Sequence, residues 1–142
     1  GGNELRTMQL LFQCWDVLYQ NMNMGSISPV VRRLNHRQAK LQTMMQYIHN
    51  HYKEAITLDM IANSVPISKS GALHIFRSCI QTSPVSYLIQ YRLTQAAGQL
   101  KTTQKSVSFI AADTGFSDAG YFCKKFKQRY HMSANEYRRQ NS

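Results

Sequence analysis

The sequence predicts an all-α fold: two helix-turn-helix subdomains joined by a long linking helix, with a further helix at the N-terminus. Three observations predict it. No run alternates apolar and polar residues with period two, whereas apolar residues recur at helical spacing through most of the chain. Serine or threonine, the residue types that cap helices, stands ahead of most of these stretches. An ordered set of features also repeats after 49 to 50 residues, the signature of a duplicated supersecondary unit.

The elements follow in order. Residues 1–25 read as a helix in which Leu5, Met8, Phe12, Trp15, Tyr19 and Met22 form a heptad seam, widened by Leu11 and Leu18. That seam is expected either to close a sensor domain that precedes it or to pair with a second copy of the chain. The sequence opens Gly1-Gly2 without an initiator Met, so it is expected to be a piece of a longer protein. Residues 26–36, entered through Gly25-Ser26-Ile27-Ser28-Pro29, read as a linker. From Asn35, which with Gln38 resembles a capping box, Leu41, Met44, Met45, Ile48 and Tyr52 line one helical face.

The remainder is a string of capped helices. Thr57 is placed to cap residues 58–64, and Ser68 to cap 69–79. Ser83-Pro84 sets a cap before a proline at the first helical position and opens the linking helix over 84–101. Ser106 is placed to cap 107–114, with Gly115 as its stop, and Ser117 to cap 118–129. Ser133 and Glu136 have capping-box spacing and start the last helix.

Duplication gives these helices their meaning. Ile61-Ala62 recurs as Ile110-Ala111, and Ile67-Ser68 as Phe116-Ser117; after one inserted residue Phe76 pairs with Phe126 and Tyr87 with Tyr137. Each copy is a short helix, a tight turn ending in Ser, and a second helix with a buried Phe. The small Ala62 and Ala111 allow the second helix to cross closely over the first, and its outer face is then free to enter a major groove. The two units are expected at about 57–80 and 106–130, within a domain spanning 37–140. A linking helix of this length spans about 27 Å, comparable with the ~34 Å between successive major-groove faces of B-DNA.

Charge agrees with a polyanionic partner. The net charge is +10, and residues 60–142 hold 11 Lys or Arg against three acids. Cys14, Cys79 and Cys123 have neither disulfide nor metal spacing and read as small core hydrophobes of a reducing, cytoplasmic protein. His49 and His51 lie on different sides of a helix, and His36, His74 and His131 have no evident ligand partners, so no metal or cofactor is expected. No segment has the roughly 20 apolar residues of a membrane span. Carboxylates are scattered singly and no Ser/His/Asp set emerges, which argues against an enzyme. A protein-interaction module resting on the heptad seam is the competing class.

Residues 37–140 resemble the C-terminal DNA-binding domain of AraC/XylS-type transcription regulators. The second unit carries the more specific match: Ile110-Ala111, Gly115-Phe116-Ser117-Asp118, Tyr121-Phe122, Phe126-Lys127 and Ser133 to Tyr137-Arg138. The first matches at Leu58, Ile61-Ala62, Ile67-Ser68, Phe76-Arg77, Ser83-Pro84, Tyr87-Leu88 and Arg92-Leu93. The resemblance implies sequence-specific binding of promoter DNA by two recognition helices in adjacent major grooves, with RNA polymerase as a further partner. It places base-reading side chains at Ser70, Leu73 and His74 in the first helix, and at Ala119, Gly120, Tyr121 and Lys124 in the second. Ala72 stands where the family buries a larger apolar residue, which leaves room for Leu73 to turn inward instead. Lys69, Arg77, Lys125, Lys127 and Arg129 are the candidate phosphate contacts, although Lys125 also has a stem that can pack along the turn.

Overall fold

The computed structural model describes residues 29–141, with side chains from residue 35 onward. Among the described residues there are seven helices and no strand: α1 Pro29–His51, α2 Leu58–Asn63, α3 Lys69–Ile80, α4 Pro84–Thr102, α5 Val107–Asp113, α6 Ala119–Tyr130 and α7 Ala134–Asn141. The seam from Leu5 to Met22, expected on an N-terminal helix, lies outside the described residues, as does Cys14.

The expected linker is largely helix. α1 takes in residues 29–36, and Asn35 lies inside it instead of capping it. Proline is tolerated at the first position of the span, because its ring presets φ and its missing N–H has no partner in a first turn. None of residues 30–36 is a strong helix breaker.

Two separate cores divide the chain. The first is built from Leu41, Met44, Met45 and Ile48 of α1, Ile61 and Ala62 of α2, Ala72, Ile75 and Phe76 of α3, and Tyr87 and Leu88 of α4. The second takes Leu93, Ala96, Ala97 and Leu100 from the later part of α4 and adds Ile110, Ala111, Phe116, Phe122, Phe126 and Ala134. α4 is therefore more than a spacer: its first half completes one unit and its second half opens the next. At 19 residues it spans about 28 Å.

Both helix-turn-helix turns close through the small residue at their crossing. Ala62 and Ala111 are buried, and their carbonyls accept the N–H of Ile67 (3.3 Å) and Phe116 (2.9 Å) at the far side of each turn. Thr57, Ser68, Ser83, Ser106 and Ser133 accept N–H groups at the helix starts where they were expected. Ser117 does not. The cap of α6 is Asp118, whose Oδ1 accepts from Gly120 at 2.7 Å and Tyr121 at 3.3 Å. Ser117 is thus the residue by which the second turn is longer, and the true counterpart of Ser68 is Asp118, 50 positions on. A carboxylate there also suits the positive end of the helix dipole.

The recognition helices end alike. Gln81 (φ 54°) and His131 (φ 61°) are left-handed C-caps 50 residues apart, donating N–H to Arg77 and Lys127 carbonyls respectively. Duplication thus extends to backbone conformation.

Candidate nucleic-acid interface

α3 and α6 are equivalent helices of 12 residues each, so one register describes both. Their buried sides carry Ala72, Ile75 and Phe76 in α3, and Phe122, Phe126 and Arg129 in α6. What remains outward is the surface each unit can offer to a groove.

On α3 the exposed residues are Lys69, Ser70, His74, Arg77 and Ser78. Ser70 and His74, both candidate base readers, lie four apart and share a face. Leu73, the third candidate, is half-buried, as the small Ala72 beside it allows. Lys69 is drawn to Asp59 of α2 (3.1 Å), an exposed pair that a phosphate can compete for at little cost. Arg77 is exposed one turn beyond His74.

On α6 the candidates Ala119, Gly120, Tyr121 and Lys124 are all exposed, Tyr121 at 43% despite its size. Lys124 occupies the position that His74 holds in α3, and Lys127 that of Arg77. Tyr121 is braced from two sides: its ring lies 6.3 Å from Phe116, and the Lys125 ammonium sits 5.6 Å from its centroid. Lys125 is half-buried by this packing, so its charge is directed at Tyr121 as well as outward.

Arg129 leaves the set of phosphate contacts. It is 8% exposed, its guanidinium donates to Gln90 Oε1 of α4, and it lies 5.4 Å from the Tyr130 ring. The repeat signals this in advance, since position 129 pairs with the half-buried Cys79 and so faces inward. The register also adds residues that sequence reading passed over. Cys123 matches Leu73, while Ser78 and Gln128 lie four residues beyond His74 and Lys124; Cys123, Ser78 and Gln128 are exposed.

The two faces differ in chemistry. α6 presents Lys124 and Lys127 with Tyr121, a combination able to donate to guanine O6/N7 and to phosphates. α3 presents mostly neutral groups, with Arg77 as its long cation outside an ion pair among the described residues. No group of three His, Cys, Asp or Glu side chains among the described residues is arranged to hold a metal. No helix there is long and apolar enough to cross a membrane.

Two outward-facing second helices, each locked over a short first helix and carried at either end of one shared helix, define a tandem helix-turn-helix protein. Comparison with known proteins agrees. A family model described as a helix-turn-helix domain matches residues 61–140. The regulator YdeC of Bacillus subtilis is 30% identical over 103 residues, covering 72% of this chain and 35% of that protein. An AraC-type DNA-binding-domain regulator from Chromobacterium violaceum has a similar structure (TM-score 0.71, 27% identity), with 74% of this chain and 94% of that one covered. So does the DNA-binding domain of the global transcriptional factor AdpA, solved with a target DNA (TM-score 0.68, 25% identity; 71% and 91% covered). The chain belongs to the AraC-type helix-turn-helix family of transcription regulators. It spans about a third of the length of curated relatives such as YdeC.

Proposed function

We propose that this chain regulates transcription by binding one asymmetric site on double-stranded DNA, with α3 and α6 entering successive major grooves on one side of the duplex. The observation that carries the reading is the repeat-related pair of exposed helix faces, one in the unit built on the first half of α4 and one in the unit built on its second half, α4 itself being about 28 Å long. AdpA, whose DNA-binding domain has this fold, is a DNA-bound relative in structure, which supports the same use here.

Lys124 is the leading base reader, with Tyr121 against a base or sugar beside it. Ala119 and Gly120 allow close approach of the α6 N-terminus. Ser70 and His74 give α3 a lighter, more tolerant readout. Arg77 and Lys127 fix register on phosphates at equivalent places in the two units, with Lys69 and Lys125 secondary. The reading extends to a cytoplasmic regulator that engages RNA polymerase and pairs as a homodimer, for which the sequence offers the seam from Leu5 to Met22.

Selection from random duplexes, followed by affinity measured over a salt series, tests the reading. The expected result is two conserved patches about one helical turn apart and a log-linear fall in affinity with salt. Affinity indifferent to salt, or a single conserved patch, overturns it.

A further inference from the structure

We propose that the DNA interface extends beyond the recognition helices onto α1, whose Arg37 and Lys40 take phosphates flanking the groove that α3 enters. This rests on the DNA-binding reading above.

α1 packs along α3, and between them lies an open groove of about 330 Å³. His36, Arg37 and Lys40 form its α1 wall; Ile67, Gly71 and His74 form the wall belonging to the first helix-turn-helix. Three features point to a phosphate row as the occupant. Its lining, apolar at Ile67 and Ile75, carries Arg37 and Lys40 on the α1 side and contains no carboxylate. Pro29–His51 contains no Asp or Glu at all, and neither Arg37 nor Lys40 has a carboxylate partner among the described residues. Their charge is therefore uncompensated among the described residues. The groove is also continuous with the recognition surface, because His74 belongs to both. A duplex lying against α3 must carry its sugar-phosphate edge past one side of that helix, and the α1 wall stands there. Gly71, which adds no side chain, keeps the wall low.

The charge balance between the units adds a further argument. α6 brings Lys124 and Lys127 to its own groove, whereas α3 has Arg77 and the Asp59-paired Lys69. Duplex DNA carries one charge per ~1.7 Å of axis, and affinity scales with the number of phosphates neutralised. α1 supplies the cations that α3 lacks. Such contacts position the protein without reading sequence.

The test uses the full chain with two probes: the selected duplex, and a mixed-sequence duplex of equal length. Arg37→Gln with Lys40→Gln should weaken both by the same factor, roughly tenfold at low salt, and reduce the slope of log affinity against log salt by about 2. The charge-keeping pair Arg37→Lys with Lys40→Arg should retain both values, which separates charge from folding. Trimming the duplex beyond the patch read by the first unit should weaken the wild type by the same factor and leave the Gln variant unchanged. An unaltered slope in the Gln variant, a loss confined to one sequence, or a loss independent of trimming overturns the proposal. If the wild type itself shows no salt-linked binding to either probe, the DNA-binding reading falls and this inference with it. Wild-type binding matched by the Gln variant refutes the α1 contacts alone.

Discussion

Arg92, on the shared helix α4, donates from Nε to the backbone carbonyl of Tyr52 at 2.8 Å. The same guanidinium reaches the Glu54 carbonyl through Nη2 at 2.8 Å and lies 6.0 Å from the centre of the Phe116 ring. One side chain thus ties the loop after α1, in the first unit, to the turn of the second. Lys53 and Asp113 face each other across the same seam at 4.0 Å, with Asp113 also held by Gln99 at 2.8 Å. The relative placement of the recognition helices therefore depends on this clasp as well as on the stiffness of α4. Arg92→Gln should leave each unit folded while loosening their alignment. Binding to duplexes with one base pair inserted or deleted between the two patches measures this. The wild type should discriminate sharply between spacings and the variant by about tenfold less; equal discrimination would remove Arg92 from the alignment.

Gly115 marks the tightest point of the same seam. Its φ of +99° is one that side-chain-bearing residues rarely adopt, and a Cβ there would lie 2.3 Å from the Tyr52 carbonyl oxygen and 2.7 Å from Arg92 Nε. The first obstacle is backbone and cannot swing aside. Gly115→Ala should cost about 3 kcal/mol or more in urea unfolding, combining strain with loss of the Arg92 bonds. A loss below about 1 kcal/mol would mean that the units do not meet in solution as they do here.

Much of this architecture was legible because capping and duplication are local signals. Ser68, Ser83, Ser106 and Ser133 each stand next to the helix they cap, and Ala62 and Ala111 mark the crossings. Ser117 misled because the repeat runs at an offset of 49 up to that residue and 50 afterwards, with the insertion falling on the cap itself. Arg129 misled because a basic residue in a basic cluster reads as solvated. Its inward position shows only when it is aligned with Cys79, and its bond to Gln90 spans 39 residues. The cations of α1 were hidden by averaging: Arg32, Arg33, Arg37 and Lys40 are diluted by acids elsewhere in the first 59 residues, four in all. Contacts such as Arg92 to Tyr52 have no local pattern, since they depend on how two finished units dock.

Lys124 and Lys127 offer a direct separation of reading from anchoring. They lie three apart on the exposed side of α6, at the positions of His74 and Arg77 in α3. Lys124→Ala should weaken the selected duplex by about ten- to a hundredfold and relax preference at one base pair. Lys127→Ala should weaken selected and mixed-sequence duplexes alike and shallow the salt slope by about 1. Competition binding with single-base variants of the site checks both; a uniform loss for Lys124→Ala would reassign it to phosphate.

Gln81 and His131 hold left-handed conformations that cost a side-chain-bearing residue about 1–2 kcal/mol. Glycine relieves this but surrenders about 0.5–1 kcal/mol to its greater freedom when unfolded. Gln81→Gly and His131→Gly should therefore each stabilise the chain by about 0.5 kcal/mol, nearly additively because the sites lie in different units. Unfolding midpoints of the single and double variants measure it, and destabilisation in either case would show that the side chain contributes more than its backbone costs.

His49 gives the first core a pH dependence of known sign. Its Nε2 shares a 2.7 Å hydrogen bond with the Tyr87 hydroxyl, and its ring stacks on Tyr91 at 4.3 Å. Burial holds its pKa below the ordinary value of 6.5, because a charged imidazole is poorly solvated there, while burial pushes the Tyr87 hydroxyl upward. As pH falls through 6.5 the unfolded chain takes up the proton first, so it binds more protons than the folded one and stability drops. The contribution is fully present above 6.5 and is lost progressively below it. Urea unfolding between about pH 8 and pH 5 should show this decline in the wild type and a flatter profile in His49→Gln. Identical profiles would mean that the ring stays solvated in the folded chain.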